Sequence, residues 1–307
     1  RTVVGTAGCL PEGEMGQSSS VTPSDCVDVV VKIGGSACTQ KADFETLNVE
    51  ALEASAVQLA ALRAEGISVA VIHGAGSFGH QQAKEYGVSK GTADEGAAAL
   101  SDRLMEGVAK TRLSVTTLNH HVITALVKHG LPAVAISPCP FVVTEQKKLC
   151  GGSLSDDAGA AVVGLVKRGL VPVVHGDVVM DSAQGVAILS GDVWMVELSR
   201  HLRAKSAVFI TDVDGVFTKP PSEPGAELVS EILVDAQTGE LELGGVSTST
   251  ASHDVTGGLK AKLESAAQVL MQAPDVQAVH IVRAGSSSAA EAMRGETPTT
   301  GTTLKRK

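Results

Sequence analysis

The sequence is poor in aromatic residues, and this scarcity limits the ligands that the protein can bind. Aromatic side chains make up 2% of the 307 residues, with one Trp, one Tyr and five Phe. Proteins that bind single-stranded nucleic acid usually stack bases on aromatic rings. The formal net charge is -9, without a dense run of Lys or Arg, so the basic footprint of a nucleic-acid binder is also missing. We therefore expect an aliphatic core and no nucleic-acid partner.

Long apolar runs and paired cysteines are also missing. No apolar run approaches the roughly 18 to 20 residues that a membrane span needs, so we expect no membrane partner. The cysteines are odd in number and scattered, without a C-x-x-C pair, at Cys9, Cys26, Cys38, Cys139 and Cys150. This pattern favours neither zinc nor a disulfide framework and is typical of a reducing compartment. We expect the cytoplasm, with an organelle as the alternative.

The N-terminal segment differs in composition from the rest of the chain. Residues 1–26 are polar, contain Gly, Ser and Pro, and lack the apolar core of a signal peptide. We expect this segment to be a disordered leader or the remnant of a targeting segment. Its composition does not decide between the two compartments.

From Val27 onward, Val- and Ile-rich runs alternate with stretches of helical periodicity, which predicts an α/β fold. Strands that are apolar on both faces and separated by helices form parallel sheets covered on both sides. We therefore expect a three-layer αβα sandwich with a mostly parallel central sheet. The predicted strands are 27–33, 67–73, 131–137, 170–176, 185–191, 206–212 and 276–282, and the predicted helical stretches are 44–65, 96–130, 156–169, 192–203 and 258–272.

A glycine-rich loop follows the first predicted strand, and in such sheets ligands bind at the carboxyl ends of the strands. In "KIGGSACTQK" the strand ends near Lys32, and Gly34 and Gly35 permit a tight turn with close approach of the backbone to a phosphate. The spacing of a Walker A loop is absent. A phosphate site and a plain turn after a strand both fit this segment.

The second predicted strand ends in "HGAGSFGH", where glycines again expose backbone N–H groups. A helix is expected to begin near His80. His73 and His80 are seven residues apart, but carboxylate or cysteine partners at ligand spacing are missing nearby, which disfavours a metal site. The remaining interpretations are an anion site and an ordinary loop.

Three further strand or helix ends carry marked residues. They are Asp177 and Asp192 after glycines, the "TDVDG" segment with Asp212, Asp214 and Gly215, and "TGGLKAK" with Gly257, Gly258, Lys260 and Lys262. A helix N-cap, a turn and solvated surface lysines are the simpler explanations for the three segments. Taken together, however, the five ends would converge on one crevice and supply lysines, a histidine and backbone donors. This set suits phosphoryl transfer, which requires positioning and charge neutralisation.

These motifs, in this order, resemble the amino acid kinase superfamily and, within it, the isopentenyl phosphate kinase family. The resemblance runs from about Val27 to the C-terminus and is most specific in "KIGGSACTQK", "HGAGSFGH", "VPVVHGDVV", "ILSGD", "TDVDGV" and "DVTGGLKAKLE". It implies a single kinase domain over residues 27–307, with an acceptor-binding part over about 27–175 and a nucleotide-binding part over about 176–307. It also implies a homodimer.

The resemblance implies a role for each marked residue. Lys32 and Lys262 would contact the ATP phosphates and the transferring group, Lys41 would stabilise the transition state, Asp192 would hold the lysines, and His80 would bind the acceptor phosphate. The implied ATP site comprises Lys32, Ile33, Gly34, Gly35, Ser36, Gly76, Asp212, Asp214, Gly215, Gly257, Gly258 and Lys262. The implied acceptor site comprises Ala75, Gly76, Gly79, His80 and Gly191. Mg2+ would be held mainly by the ATP phosphates, without a metal site on the protein.

The implied activity is the ATP-dependent conversion of isopentenyl phosphate to isopentenyl diphosphate in isoprenoid biosynthesis, with dimethylallyl phosphate as a further candidate acceptor. The attacking oxygen is already anionic, so no strong general base is needed, and repulsion between the two phosphates is the main barrier. The five-carbon tail requires an apolar pocket. Leu100, Leu104, Met105 and Val108 either line that pocket or belong to the ordinary core.

Two other functions stay open at this point. The first is a kinase for a phosphonate antibiotic such as fosfomycin, because such kinases also resemble this sequence in having a histidine in the acceptor loop. The second is a regulator that binds a nucleotide without catalysis. The regulator hypothesis predicts the loss of Lys32, Lys41, Asp192 or Lys262, but all four are present. Kinases for carbamate, glutamate, aspartate or UMP are less favoured, because His80 has no evident task with those acceptors.

Overall fold

The elements of the chain alternate between strands and helices. The computed structural model describes residues 26–40, 43–92, 99–243 and 257–307. Its strands are β1 (Val29–Ile33), β2 (Val69–His73), β3 (Ala133–Ile136), β4 (Val143–Glu145), β5 (Lys148–Leu149), β6 (Val171–His175), β7 (Asp177–Asp181), β8 (Gly185–Leu189), β9 (Ser206–Thr211), β10 (Val216–Phe217), β11 (Leu228–Val229), β12 (Glu231–Val234), β13 (Leu241–Leu243), β14 (Ala278–Arg283) and β15 (Thr302–Arg306).

The helices in the described ranges are α1 (Gly35–Cys38), α2 (Val49–Ala64), α3 (His80–Glu85), α4 (Asp102–Lys128), α5 (Asp156–Val166), α6 (Gly191–His201), α7 (Gly257–Gln272) and α8 (Ser287–Met293), with 3-10 turns at Val88–Lys90 and Cys150–Gly152. Five of them, α2, α4, α5, α6 and α7, lie within the predicted helical stretches or begin one residue before them. A serine hydroxyl accepts from a backbone N–H at the start of four helices, namely Ser101 at α4, Ser155 at α5, Ser190 at α6 and Ser286 at α8. These caps satisfy N–H groups that have no partner inside the helix.

The nine-stranded central sheet has the order β13-β12-β15-β14-β9-β1-β2-β6-β3. Parallel pairing joins β14 to β9, β9 to β1, β1 to β2, β2 to β6, β6 to β3 and β12 to β15. The pairs β12 with β13 and β14 with β15 are antiparallel. The predicted α/β class with a mostly parallel sheet is therefore confirmed.

Helices cover both faces of this sheet, and the side chains of β1 show how the two layers are separated. Val29, Val31 and Ile33 belong to a core cluster shared with α2, α4 and α8. Val30 belongs to the opposite cluster, which is shared with α5, α6 and α7. Because successive side chains of a strand point to opposite faces, Lys32 lies on the side of α6 and α7. The predicted three-layer arrangement is confirmed.

One predicted strand lies outside the central sheet. All seven predicted strands are present, but β8 pairs antiparallel with β7 in a separate four-stranded sheet of order β5-β4-β7-β8. Residues 182–184 alone separate β7 from β8. A parallel connection needs a crossover of about a dozen residues or more, so this short turn can close only a hairpin.

Two sequence predictions concern residues that the structure does not describe. The expected leader, 1–26, lies outside the described residues apart from its last position, and Lys41 lies outside them as well. Within the described ranges, no helix is both long and apolar enough to span a bilayer.

Candidate active site

The carboxyl ends of four strands, β1, β2, β6 and β9, meet at one edge of the central sheet. The end of β1 lies between those of β9 and β2, because the Gly34 N–H donates to the Ile210 carbonyl of β9 at 2.8 Å and the Gly74 N–H, after β2, donates to the Ile33 carbonyl of β1 at 3.0 Å. The Gly176 N–H, after β6, donates to the His73 carbonyl at 3.4 Å. β1 pairs in parallel with β2 on one side and with β9 on the other, so the order of strands changes direction at β1. Such a switch point opens a crevice at the carboxyl ends of the strands.

The two glycine-rich loops pack directly against each other. A Cβ atom at Gly35 would lie 2.5 Å from the Gly76 nitrogen, and one at Gly74 would lie 2.7 Å from the Gly35 nitrogen. Any side chain at either position would force two backbones apart. These glycines are therefore required by the mutual contact of the loops, a constraint that each motif read separately does not show.

Thr39 fastens the two loops together. Its hydroxyl donates to the Gly35 carbonyl at 2.8 Å and accepts from the Ser77 N–H at 2.9 Å, and the residue is buried. Gly76 and Gly79 have positive φ angles of 55° and 88°, a region that favours glycine. The sequence indicated the glycines but not Thr39, because threonine after a short helix has no distinctive pattern.

The loops and strand ends enclose a cavity of about 1050 Å³. The predicted residues that line it are Lys32, Gly34, Gly35, Ser36, Ala75, Gly76, Gly79, His80, Gly191, Asp192 and Lys262. The structure thus brings together all five residues of the predicted acceptor site and six of the twelve residues of the predicted ATP site, from positions as far apart in the chain as Lys32 and Lys262.

Lys32 and Asp192 form a largely buried ion pair in this cavity. The Lys32 ammonium donates to Asp192 Oδ1 at 2.5 Å, and the two side chains are 7% and 24% exposed. Lys32 also lies 5.5 Å from the centre of the Phe209 ring. A Cβ at Gly191 would approach Lys32 Cε to 3.2 Å, so this glycine leaves room for the lysine stem.

The start of α6 sets the position of Asp192, and α6 in turn holds α7. Ser190, not Asp192, is the N-cap: its hydroxyl accepts from the Asp192 N–H and donates to Asp192 Oδ2, each at 3.1 Å. The alternative that Asp192 serves only as a cap is therefore wrong. Ser265 of α7 donates to the Asp192 carbonyl at 3.0 Å. Lys262 precedes Ser265 by three residues, so both lie on one face of α7, and Lys262 reaches the cavity.

His80 begins α3 and is exposed to the cavity. Its Nδ1 lies 2.7 Å from the Gly76 carbonyl oxygen. A carbonyl can only accept, so Nδ1 carries a proton, and Nε2 is the nitrogen left for a ligand. Nε2 donates to a ligand only when the imidazole is charged, and the ring orientation is set by the same loop that meets Gly35.

His73 has a structural environment that differs sharply from that of His80. It is fully buried, its Nδ1 donates to the Gly74 carbonyl at 3.0 Å, and its Nε2 accepts from Asn119 Nδ2 at 2.9 Å. Its ring stacks on that of His175 with centroids 5.3 Å apart. Burial, followed by the charge of His175, lowers the pKa of His73 to about 3, so the ring is neutral. The two histidines of the second loop therefore do not act as a pair.

Asp177 lines the cavity, but its carboxylate is already paired with the guanidinium group of Arg112. Its fully buried carboxylate accepts from Arg112 Nε at 3.2 and 3.3 Å and from the Ser137 hydroxyl at 3.2 Å. Arg112 also donates to Ser137 at 2.8 Å. This network joins α4 to β7, and the sequence did not reveal Arg112, because a single arginine within a helical stretch is usually solvated.

Several predicted ATP-site residues lie outside the cavity wall. Asp212 accepts from the Ser36 hydroxyl at 2.8 Å and so contacts the first loop. Asp214 forms an ion pair with Arg283 at 2.9 Å. A Cβ at Gly215 would lie 2.6 Å from Thr302 Oγ1, which places this glycine against β15.

Three other predicted ATP-site residues are also placed by their elements. Ile33 is buried in the core, and Gly257 and Gly258 are the first residues of α7. The nucleotide-binding roles of all six residues stay predictions.

The cavity contains residues that the sequence did not single out. They include Ala83, Lys84, Gly87, Ser89, Lys90, Thr111, Val115, Ile188 and Leu189. Thr111 and Val115 belong to α4, the stretch expected to hold an apolar tail, but the residues named for that task lie elsewhere. Leu104 is buried in a small cluster that also contains the cavity residue Ala83, with Leu100 and Val108 packed against it, and Met105 is 48% exposed.

The carboxylates of the cavity do not assemble into a metal site. In the described ranges, no three His, Cys, Asp or Glu side chains come together in a way that could hold an ion. Asp192 and Asp177 accept from Lys32 and Arg112 instead. Mg2+ could be brought to such a cationic cavity by the phosphates of a nucleotide, because this ion is commonly held by substrate phosphates.

Comparison with known proteins agrees with this geometry. Residues 29–283 match the amino acid kinase family. An isopentenyl phosphate kinase of Arabidopsis thaliana is 34% identical, over 90% of this chain and 93% of its own length. One from Methanothermobacter thermautotrophicus is also 34% identical, over 76% and 84%. The chain belongs to the amino acid kinase family and, within it, to the isopentenyl phosphate kinases.

Solved structures support the same assignment. An X-ray structure of an isopentenyl phosphate kinase aligns with a TM-score of 0.70 at 29% identity, covering 90% of this chain and 99% of the other. The crystal structure of a product complex of T. acidophilum isopentenyl phosphate kinase aligns with a TM-score of 0.68 at 24% identity and shares the fold. The resemblance predicted from the motifs is confirmed, and so is the phosphotransferase class.

Proposed function

We propose that the protein transfers the γ-phosphoryl group of ATP to isopentenyl phosphate and forms isopentenyl diphosphate. The observation that carries this proposal is the position of His80, which faces the same cavity as Lys32 and Lys262. A histidine held by the loop backbone supplies a donor for an acceptor that already bears a phosphate. The relatives with this name support the same acceptor.

The lysines of the cavity would overcome the repulsion between two phosphates. ATP with Mg2+ would supply the phosphoryl group and part of the neutralising charge. Lys32, held by Asp192 at 2.5 Å, would contact the oxygens of the transferring group, with Lys262 from α7 on the nucleotide side. Both would stabilise charge on the bridging and equatorial oxygens, the main task in this reaction class. Lys41 lies outside the described residues, and its role as transition-state stabiliser rests on the resemblance.

His80 and the second loop would hold the acceptor. The imidazolium would donate from Nε2 to the acceptor phosphate, because Nδ1 is occupied by the Gly76 carbonyl. Backbone N–H groups of Ala75, Gly76 and Gly79 would add further donors. The attacking oxygen belongs to a phosphate that is already ionised at neutral pH, so the chain needs no general base.

The apolar wall of the cavity fits a short hydrocarbon tail. Ala83, Val115, Ile188 and Leu189 lie on it, and tight apolar packing around five carbons is worth roughly 0.8 kcal/mol per buried methylene. An apolar wall discriminates poorly between isomers of equal size. We therefore expect dimethylallyl phosphate to be accepted as well.

An ADP-release assay with a panel of acceptors tests the proposal. Isopentenyl phosphate should release ADP well above the buffer blank, and fosfomycin, UMP, carbamate and glutamate should not. ADP release with fosfomycin alone would identify a phosphonate kinase instead. Nucleotide binding without turnover of any acceptor would favour a regulator.

Two substitutions separate the proposed roles. His80→Ala should raise the KM for isopentenyl phosphate strongly, because it removes a contact to the bound acceptor, whereas Lys41→Ala should mainly lower kcat. A His80→Ala enzyme with a lower kcat and an unchanged acceptor KM would contradict the role assigned to His80.

The oligomeric state and the compartment are also part of the proposal. Phe141, Val143 and Met180 expose apolar side chains, and the last two are partners across β4 and β7. This patch would pair with a second copy in a homodimer. Sedimentation should give the mass of a dimer for the native chain and of a monomer for Phe141→Asp. The scattered cysteines, none of which forms a disulfide within the described ranges, support the cytoplasm.

A further inference from the structure

Helix α3 presents one face to the active-site cavity. His80, Ala83, Lys84 and Gly87 all line that cavity, and their spacing of i, i+3, i+4 and i+7 is that of one helix face continuing into the next turn. The other face carries Gln81, Gln82, Glu85 and Tyr86, which line a separate cavity of about 640 Å³. Lys84 is therefore directed to the acceptor side of α3 rather than to bulk solvent.

The helix geometry brings the Lys84 side chain toward His80. The two residues lie one turn apart, about 6 Å along the axis at 1.5 Å per residue. Side chains of an α-helix lean toward its N-terminus, so the stem of Lys84 covers the turn that starts at His80. Its ammonium group can thus reach the region in front of His80 Nε2.

Within the described ranges, the charge of Lys84 is uncommitted, in contrast to the charges of Lys32, Asp177 and Asp192 in the same cavity. Lys32 is paired with Asp192, and Asp177 is paired with Arg112. Across the described ranges, the exposed Lys84 side chain makes no hydrogen bond and no ion pair. An ammonium with no protein acceptor in an anion-binding cavity is available to a ligand.

We propose that Lys84 binds the phosphate of the acceptor together with His80 and sets the preference for acceptors that already carry a phosphate. The inference rests on the proposed function. His80 offers one donor nitrogen to a dianionic group with three terminal oxygens, so a single imidazole satisfies the charge and the lone pairs only in part. A lysine one turn away supplies a permanent charge and up to three donors.

The test compares Lys84→Ala, Lys84→Gln and Lys84→Arg with native enzyme in steady-state assays. A charge-assisted hydrogen bond contributes about 1.5 to 3 kcal/mol, so the Ala and Gln variants should raise the KM for isopentenyl phosphate by roughly tenfold or more. The KM for ATP should stay unchanged, and Lys84→Arg should restore most of the loss. Lys148→Ala serves as the charge-matched control, because Lys148 is exposed on β5 and absent from the cavity wall.

The possible outcomes distinguish this inference from the proposed function. If native enzyme phosphorylates isopentenyl phosphate and Lys84→Ala leaves its KM unchanged, the Lys84 assignment is overturned while the function stands. If native enzyme does not use isopentenyl phosphate, the function itself has failed. Lys90 also lines the cavity; an equal KM increase in Lys90→Ala would indicate general attraction by the cavity and would overturn a specific contact at Lys84. Melting temperatures equal to native would show that each variant is folded.

Discussion

Replacing Asp192 by Asn should destabilise the protein in the absence of any ligand. The substitution keeps the size of the side chain and removes the charge that faces the Lys32 ammonium at 2.5 Å. Lys32 is 7% exposed and cannot turn to water without leaving its place beside Gly191 and Phe209. The variant therefore retains a buried cation whose partner is a neutral amide.

The magnitude follows from the burial of the two groups. Removing one partner of a fully buried pair costs about 3 to 5 kcal/mol, most of it the penalty for the remaining charge. The Asp192 side chain is 24% exposed, so water reaches this pair and reduces the penalty. We expect the free energy of unfolding to fall by about 2 to 3 kcal/mol. The double variant Lys32→Met/Asp192→Asn should recover to within about 1 kcal/mol of native, because it leaves no buried charge unpaired.

Urea unfolding followed by fluorescence provides the measurement. Trp194 is the single tryptophan of the chain, is buried, and lies on α6 two residues after Asp192. Circular dichroism should be recorded in parallel, because the substitution is close to this fluorophore. The reasoning would be refuted if Asp192→Asn shifted the free energy of unfolding by less than about 0.5 kcal/mol. It would also be refuted if the effects of Lys32→Met and Asp192→Asn, measured singly, simply added in the double variant.

Two further predictions concern the loops and a buried histidine. Gly35→Ala should lower kcat/KM for both substrates by roughly tenfold or more, because its Cβ would lie 2.5 Å from the Gly76 nitrogen; Gly164→Ala, whose Cβ would meet only the end of Arg168 at 3.4 Å, is the control that should retain activity. The pKa of His73 is lowered by burial from 6.5 to about 3, so the unfolded state binds more protons between these values and stability falls as the pH drops below about 6.5. This single group should lower the free energy of unfolding by about 2 kcal/mol between pH 6.5 and about pH 5. In urea unfolding, His73→Gln should reduce this pH dependence, whereas His120→Gln, at an exposed position, should not. An equal pH dependence in native and His73→Gln protein would show that His73 is not the origin.

The strands of the central sheet were predictable because local and tertiary preferences agree there. Runs such as "VDVVVKI" are buried on both faces, and a continuous apolar run reports that burial directly. The helix α8 and the strand β15 escaped prediction for the opposite reason. "SSAAEAM" is a short stretch without a wide apolar stripe, and it becomes helical where Ala289, Ala292 and Met293 pack against the sheet.

The candidate site was predictable as a set of strand ends but not as a set of contacts. Lys32, Asp192 and Lys262 were expected in one crevice, and they line one cavity. Lys84 was missed because α3 has only six residues, too few for periodicity to show which face is covered. Asp214 illustrates the reverse case: the "TDVDG" segment marks a strand end correctly, yet the carboxylate pairs with Arg283 at 2.9 Å, a partner 69 residues away that local pattern cannot reveal.

The net charge of the whole chain and the charge of its cavity have opposite signs. The chain carries a formal charge of -9, whereas the cavity wall holds four lysines, Lys32, Lys84, Lys90 and Lys262, against the two aspartates Asp177 and Asp192. Both aspartates are already bound to cations. The net negative charge disfavours the approach of anions in general, whereas at this cavity a low-dielectric wall concentrates the field of the lysines. The acidic composition that argues against a nucleic-acid partner is therefore compatible with a site for two phosphorylated substrates, since one concave region gathers the cations that such substrates need.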